Sequence, residues 1–569
     1  MAVAAKAAEV GLDVEDPLIL DDVSAHPWDE EADLVVVGLG GAGVAASLEA
    51  LERGLSVIAV DRYEGGGSTA ANGGIFYAGG GTVIQKEAGE EDSPEEMYKY
   101  LKMEAGDVVA DSTLRKFVDE SVSTVDWILH HGGKLKGTVW KKKASYPPLD
   151  RFLYHPDNTL VARYRKVAKP AARGHRAHIL NGKKAWGVGI GIYNPLRDSA
   201  LKLGLRFHTL TEARQLALDA DGRVVGVKVL SIPAGSKDAH DFTRYFRRAG
   251  QFLAMLPPAL PFAAITIGIG NHYLKKAMRI EAHARETRWI RAKEGVLLST
   301  GGFIMNPKMV QHYAPAYSAG MPNGTLGDQG AGIIMGMTAG GSTALMGKVS
   351  AWRFINPPKA WSDAIVVNGK GERFVDETVY GATLGEHIVD HQGGAGWLIY
   401  DANLRKQAFK QAFDPILVPF QRDVTLLNLL FNYKKAPTIE ALADRIGLDR
   451  DTIRETIAAY NRAARGEEPD RFEKEPPDMQ PIEQGPYYAM DISIASRYLP
   501  LPVITFGGLR IEENTGQVLD AAGKPIAGLY AAGRTAVGIA SQTYVSGLSY
   551  ADCVFSGRRA ARHAAKANV

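Results

Sequence analysis

Gly38, Gly40 and Gly43 stand at Gly-x-Gly-x-x-Gly spacing directly after four apolar β-formers, Leu34 to Val37, in DLVVVGLGGAG. Glycines at this spacing hold phosphate. Gly38 permits a tight turn, Gly40 lets the backbone approach a pyrophosphate, and Gly43 lets a following helix pack closely on the strand. The helix-like run VAASLEALERG presents N–H groups and a positive dipole end to the phosphates. A second apolar strand, LSVIAVD, ends on Asp61, a carboxylate able to accept a hydrogen bond from a ribose hydroxyl. Strand, glycine turn, helix, strand and acid together predict a dinucleotide-binding βαβ unit. The competing reading of the glycines is an ordinary turn in an α/β core. Directly afterwards, RYEGGGSTAANGGIFYAGGGT sets Ser68 and Thr69 among closely spaced glycines. Such a loop offers backbone N–H groups and two hydroxyls to phosphate and ribityl oxygens.

These groups must be positioned by a chain of 569 residues, 46% hydrophobic and 23% charged, which implies two or three domains of ordinary globular composition. A net charge of +2 gives no case for nucleic acid. The one cysteine, Cys553, excludes a disulfide framework and a thiolate metal cluster and suits a reducing compartment. His130-His131 and the pair His387 and His391 lack further ligands, so no metal site is expected. The first 30 residues lack a basic start followed by an apolar core. They read as a loosely held arm without a secretory signal.

Residues 94–132 carry helical apolar spacing, whereas 139–195 are irregular, basic and aromatic, suiting either a solvated cover or a site rim. Phe207 to Val229 alternates in strand fashion about a DADGR turn. The next strand, GVLLSTGGF, is expected only from Gly295, after an extra segment at 230–290. Its centre carries no Asp, Glu, Lys or Arg from Ala249 to Leu274, with Arg244, Arg247 and Arg248 on one side and Lys275, Lys276 and Arg279 on the other. Pro257, Pro258 and Pro261 break any spanning helix. The expectation is an apolar hairpin over 249–270 that dips into one leaflet, its basic flanks meeting anionic head groups. The alternative is a lid or dimer-interface hairpin buried against protein. This places the chain in the cytoplasm, at the inner face of the membrane. From 346 to 489 the texture changes to tryptophans, polar loops and two amphipathic helical runs, a candidate second domain inserted between 1–345 and 490–569. The fold class is therefore α/β with an α+β insert.

GLGGAG with Asp61, GGGSTAANGG, VLLSTGGF at 296–303, GLRI at 508–511 and GLYAAGR at 528–534 together resemble the flavoprotein family of fumarate reductases and 3-ketosteroid dehydrogenases. The resemblance covers nearly all of the chain from Asp33, apart from 230–290. It implies a Rossmann-like FAD-binding domain split in sequence, with an inserted catalytic or capping domain. It implies FAD contacts from Gly38, Gly40, Gly41, Ala42, Gly43, Asp61, Arg62, Ser68, Thr69, Asn72, Gly73 and Gly74. Ala213, Thr300, Gly301, Gly302, Gly533, Arg534 and Ser549 complete the implied set. The acid after the second strand is commonly Glu in the family and is Asp61 here; both accept the ribose bond.

Fumarate reductases hold a dicarboxylate with arginines and a histidine. Here Thr505-Phe506 stands where that histidine is expected, and the late motif is Tyr544-x-Ser546-Gly547. With Tyr380 in RFVDETVY, these residues resemble 3-keto-5α-steroid Δ4-dehydrogenases. The Δ1-dehydrogenases carry a glycine four residues after the second tyrosine, where this chain has Leu548. By resemblance, Tyr544 with the Gly547 region polarises the substrate ketone, and Ser546 with Tyr380 forms a proton-abstracting relay. A phenol ordinarily titrates near pH ~10, so a base role at neutral pH needs a lowered pKa or a relay to water. The implied partners are a steroid and an external electron acceptor, a quinone or another oxidant. The readings set against this are an enoate reductase and a non-catalytic nucleotide-binding scaffold.

Overall fold

The computed structural model of the protein describes residues 9–179, 187–253, 255 and 262–566. At its centre the strand Glu30–Val37 lies between two parallel neighbours, Val57–Val60 and Glu286–Leu298. Leu34, Val35 and Val36 are fully buried, which is why this strand reads as an unbroken apolar run and not as an alternation. Helix Gly41–Glu52 follows it at once and packs against the final helix, Leu548–Lys566. The two approach so closely that a Cβ on Gly557 would lie 2.3 Å from the Ala42 carbonyl oxygen.

Glu286–Leu298 divides its edge between two partners. Its first half pairs antiparallel with Val224–Ser231. Its last residues, Val296 to Leu298, pair parallel with Leu529 to Ala531 of the strand Pro525–Ala531. The end of the chain thus completes the sheet that its beginning started. Thr211–Asp219 and Val224–Ser231 form the expected hairpin about the Asp-Gly turn. The strand expected from Gly295 instead begins at Glu286, because its first half is needed as partner to that hairpin. The loosely held arm is also corrected: Leu18–Leu20 adds a parallel strand beside Thr211–Asp219, and Leu12 and Val14 are buried.

Between Val224–Ser231 and Glu286–Leu298 rise two helices, Lys237–Leu253 and Ala263–His283. They pack side by side, with Gly270 leaving room for Leu253. The segment is thus a helical pair with a protein-facing side: Phe242 and Ala277 are buried with Leu210 and Ile232. Pro257, Pro258 and Pro261, at the expected tip, lie outside the described residues. Among the described residues no helix is long and apolar enough to cross a membrane.

The strands Ile365–Val367, Trp397–Tyr400, Tyr487–Asp491 and Lys434–Ala436 form a separate antiparallel sheet. Helices Ala402–Ala412, Ile439–Ile446 and Arg450–Ala464 accompany it, each started by an acid or hydroxyl that caps it: Asp401, Thr438 and Asp449. The stretch 139–179 is less irregular than its composition suggests. It supplies Val139–Trp140, Leu153–Tyr154 and Gly174–Arg176 to a small sheet completed by Ile75–Tyr77.

Candidate active site

One long cleft runs from the glycine turn to a group of aromatic side chains. Each motif glycine has its own reason. Gly38 has φ +93°, and a Cβ there would press on the Ser299 carbonyl oxygen at 2.7 Å. At Gly43 a Cβ would meet the Gly38 carbonyl oxygen at 2.1 Å. At Gly40 a Cβ would meet nothing within 4 Å: it would point into the open cleft. Gly38 and Gly43 are therefore fixed by packing, and Gly40 keeps a space free for a ligand.

Asp61 ends its strand with one carboxylate oxygen accepting from the Leu39 amide at 2.9 Å and the other from the Tyr63 amide at 2.8 Å. Burial raises its pKa against those bonds. Ser68 hydrogen-bonds to the Asp328 carboxylate, which also takes the Arg534 guanidinium at 2.7 Å. Thr69 accepts from the Gly41 amide at 3.2 Å, tying the two glycine loops together. The cleft is further lined by Ala42, Asn72, Gly73, Thr300, Gly301, Gly533 and Ser549.

Five residues named from the sequence do not line it. Gly43 and Gly302 are packed inside, a Cβ on Gly302 lying 2.4 Å from Thr505 Oγ1. Gly74 turns at φ +70° against Val188. Ala213 is buried in its strand. Arg62 turns away to make a bidentate pair with Glu281, at 2.7 and 3.0 Å.

At the other end of the cleft the chain brings Tyr380, Tyr544, Ser546 and Gly547 together. Tyr380 precedes helix Gly381–Glu386, and its amide donates to the buried Asn158 Oδ1 at 2.6 Å. The loop before it is pinned by Glu377, whose carboxyl, despite burial, is held down to about 2 by Arg373 and Lys474. Tyr544 and Ser546 come from the loop that enters helix Leu548–Lys566. The two tyrosine rings lie 6.3 Å apart at 16°. Trp352 sits 4.4 Å from the Tyr544 ring, and Phe506 lies nearly parallel to it at 7°. Ser546 stands beside both phenols and favours their ionised forms. Burial pushes the Tyr544 phenol up to about 12 and raises the Tyr380 phenol well above its ordinary value, with Ser546 opposing each shift.

A third phenol was not foreseen. The Tyr154 hydroxyl donates to Ser546 Oγ at 3.3 Å. Its ring is accommodated by Gly174, where a Cβ would lie 2.7 Å from Tyr154 Cε1. Ser145 and Tyr146 also line the cleft, and Tyr146 donates to the Gly73 carbonyl at 2.9 Å. The aromatic density of residues 139–155 was the available signal.

Residues 33–547 match the family described as "FAD binding domain". The chain belongs to that family. It is 35% identical over 526 residues, 90% of its length and 95% of the relative's, to a 3-oxo-5-alpha-steroid 4-dehydrogenase of Comamonas testosteroni. It is 26% identical over 596 residues to a 3-oxosteroid 1-dehydrogenase of Mycolicibacterium smegmatis. Its fold matches the crystal structure of a 3-ketosteroid-delta4-(5alpha)-dehydrogenase from Rhodococcus jostii in complex with 4-androstene-3,17-dione. There the TM-score is 0.78 at 29% identity, covering 97% of this chain and all of that one.

As a member of the FAD-binding family the protein takes FAD, and the cleft fits it. Arg534 Nη1 is buried without a hydrogen-bond partner. Gly40 and Gly67 leave open space where side chains would stand. A phosphate-bearing ligand lying along the glycine turn would fill that space. Among the described residues lining the cleft, Arg534 is the one cation, and Asp328 pairs with it. The aromatic end therefore offers no cations to a dicarboxylate.

Proposed function

We propose that the protein is an FAD-dependent dehydrogenase of 3-ketosteroids that forms the Δ4 double bond of a 5α-3-ketosteroid. The observation that carries this is the meeting of Tyr380, Tyr544 and Ser546 inside an otherwise apolar, aromatic end of the cofactor cleft. Removing two hydrogens beside a ketone requires a polarised ketone, a proton acceptor and a hydride acceptor. Bound FAD supplies the hydride acceptor. Tyr544, its phenol pushed up to about 12, keeps its proton and donates to the ketone oxygen, which the Gly547 backbone also faces. That polarisation acidifies C4. Ser546 takes the C4 proton as its own hydroxyl proton passes to Tyr380 in its phenolate form, which becomes the neutral phenol, and Tyr154 fixes the serine rotamer. Trp352, Phe354 and Ile504 exclude water and match a flat hydrocarbon. In this reading the cofactor domain comprises 1–345 and 490–569, and 346–489 closes over the substrate.

Two other readings fit less well. A fumarate-type reductase needs cations at the aromatic end, and Phe506 stacks there instead. The Δ1 chemistry is disfavoured by Leu548, since the glycine of the late motif stands one residue earlier. Anaerobic mixing of the yellow protein with 5α-androstanedione, and separately with a 4-ene-3-ketone, decides between them. Bleaching by the first alone is the expected result. Bleaching by the 4-ene-ketone turns the reading to Δ1, and bleaching by neither removes the steroid.

The proposal includes peripheral contact with the inner face of a membrane through 249–270. Phe262, Ile265 and Ile269 are exposed there, between the basic flanks. A steroid partitions into bilayers, so a docked enzyme meets concentrated substrate. Cell fractionation with and without 249–270 tests this; equal membrane association of the deletion variant removes it. A reoxidant, a quinone or another acceptor, completes the cycle.

A further inference from the structure

The cleft has a second aromatic wall, far from Tyr380 and Tyr544. Past the glycine turn comes Asp61, at the end of its strand. Beyond Asp61 the lining residues are Tyr63 and Leu210, joined by Phe242, Thr243 and Phe246 from the inserted helix Lys237–Leu253. The Tyr63 and Phe246 rings are 4.6 Å apart at 22°, and Phe242 continues the stack 5.6 Å from Phe246 at 12°. Tyr63 is fixed from below: its amide donates to Asp61, and its carbonyl accepts from the Leu210 amide at 3.0 Å.

The wall is also anchored from behind. Arg62, between Asp61 and Tyr63, grips Glu281 of helix Ala263–His283 through two hydrogen bonds. Glu212 bridges the same arginine to Arg285, at 3.2 and 2.8 Å. The inserted helices are therefore held against the residues that flank the ribose-binding acid.

In a dinucleotide laid along this cleft, the pyrophosphate lies at Gly38–Gly43, the ribose at Asp61 and the flavin at the tyrosines. The adenine then falls on Tyr63 and Phe246, with Phe242 buried behind them. We propose that the inserted helical pair is a clamp on the adenine of FAD, with Phe246 beside Tyr63 as its contact ring, the buried Phe242 backing it, and Arg62–Glu281 as its fastening. Rings 4.6 Å apart leave no gap for a base between them. The adenine rests against the stack and is not sandwiched within it. The inference rests on FAD binding, which the family carries, and not on which substrate is oxidised.

The test separates FAD from FMN, which ends at its phosphate and carries no adenine. Phe246 is half-buried, so Phe246→Ala keeps the helix interior intact. Flavin release from the diluted full-length holoprotein and titration of the flavin-stripped full chain give the affinities. Phe246→Ala is expected to weaken FAD about tenfold or more, the range of base–aromatic stacking, with FMN unchanged. Phe246→Tyr, which keeps the ring, is expected to restore FAD affinity, and Glu281→Gln to weaken FAD alone. Unchanged FAD affinity in Phe246→Ala overturns the clamp. Equal weakening of FAD and FMN also overturns it, because the helices would then only stiffen the fold.

Discussion

Ser546 is the residue on which three phenols converge, so its removal is the most direct test of the chemistry. Ser546→Ala is expected to slow flavin reduction by 3-ketosteroid roughly 10²- to 10⁴-fold, the range of a lost general acid–base group. The bound flavin spectrum should be unaltered. Stopped-flow bleaching at saturating substrate measures this, and a loss under tenfold would remove the serine from the relay. The phenols set the pH dependence. Tyr380 is protonated at rest, its pKa raised first by burial and next by Tyr544. It must lose that proton to solvent before it can accept one from Ser546, so flavin reduction should quicken as pH rises, without a plateau below pH ~10. A plateau near neutrality would mean that another group accepts the proton.

Elements act here by bringing distant side chains to one point. Gly174 lies on a three-residue strand, yet its missing side chain decides where the Tyr154 ring stands. Gly174→Ala should cost about 1–3 kcal/mol by overpacking and lower the rate of flavin reduction while FAD stays bound; denaturant midpoints and flavin content check both. Helix Pro94–Ala105 contributes Glu104, buried beside Tyr100 and Asn158, and Asn158 in turn holds the Tyr380 amide. Burial raises the Glu104 carboxyl to about 7 from 4.5. Between those values the unfolded chain is ionised while the folded one keeps its proton. Stability present below 4.5 is therefore lost as pH rises through 7. Glu104→Gln should flatten this slope in melting temperature against pH, and an unchanged slope would sink the assignment.

The same elements show what a sequence can carry. Gly38 to Asp61 was legible because strand, turn, helix and acid are contiguous, although Gly38 itself packs on the distant Ser299. Tyr380 and Tyr544 were legible only through motif resemblance, since nothing local joins them. Tyr154 was not legible. Its strand is two residues long, and its partner Ser546 lies at the opposite end of the chain. Arg62 shows the reverse: adjacency to Asp61 suggested the cofactor, whereas Glu281 turned it outward.

In the whole molecule the cleft is lined chiefly from four stretches, between residues 38 and 75, 299 and 328, 352 and 380, and 532 and 553. A ligand that binds only this assembled state stabilises it by mass action, about 4 kcal/mol at a thousandfold excess over Kd. Flavin-stripped protein should therefore melt several degrees lower than holoprotein and recover on adding FAD; equal melting by calorimetry would contradict a cleft shared among these segments. The strand Glu286–Leu298 adds a different consequence, one that concerns birth and not function. Its last residues wait for Leu529 to Ala531. While the ribosome is still making residues 346–489, Val296 to Leu298 carry an apolar edge with open amides and carbonyls, a site for mispairing. From residue 298 to residue 529 the growing chain holds its nucleotide sheet without this late partner, and only the final stretch of translation closes it.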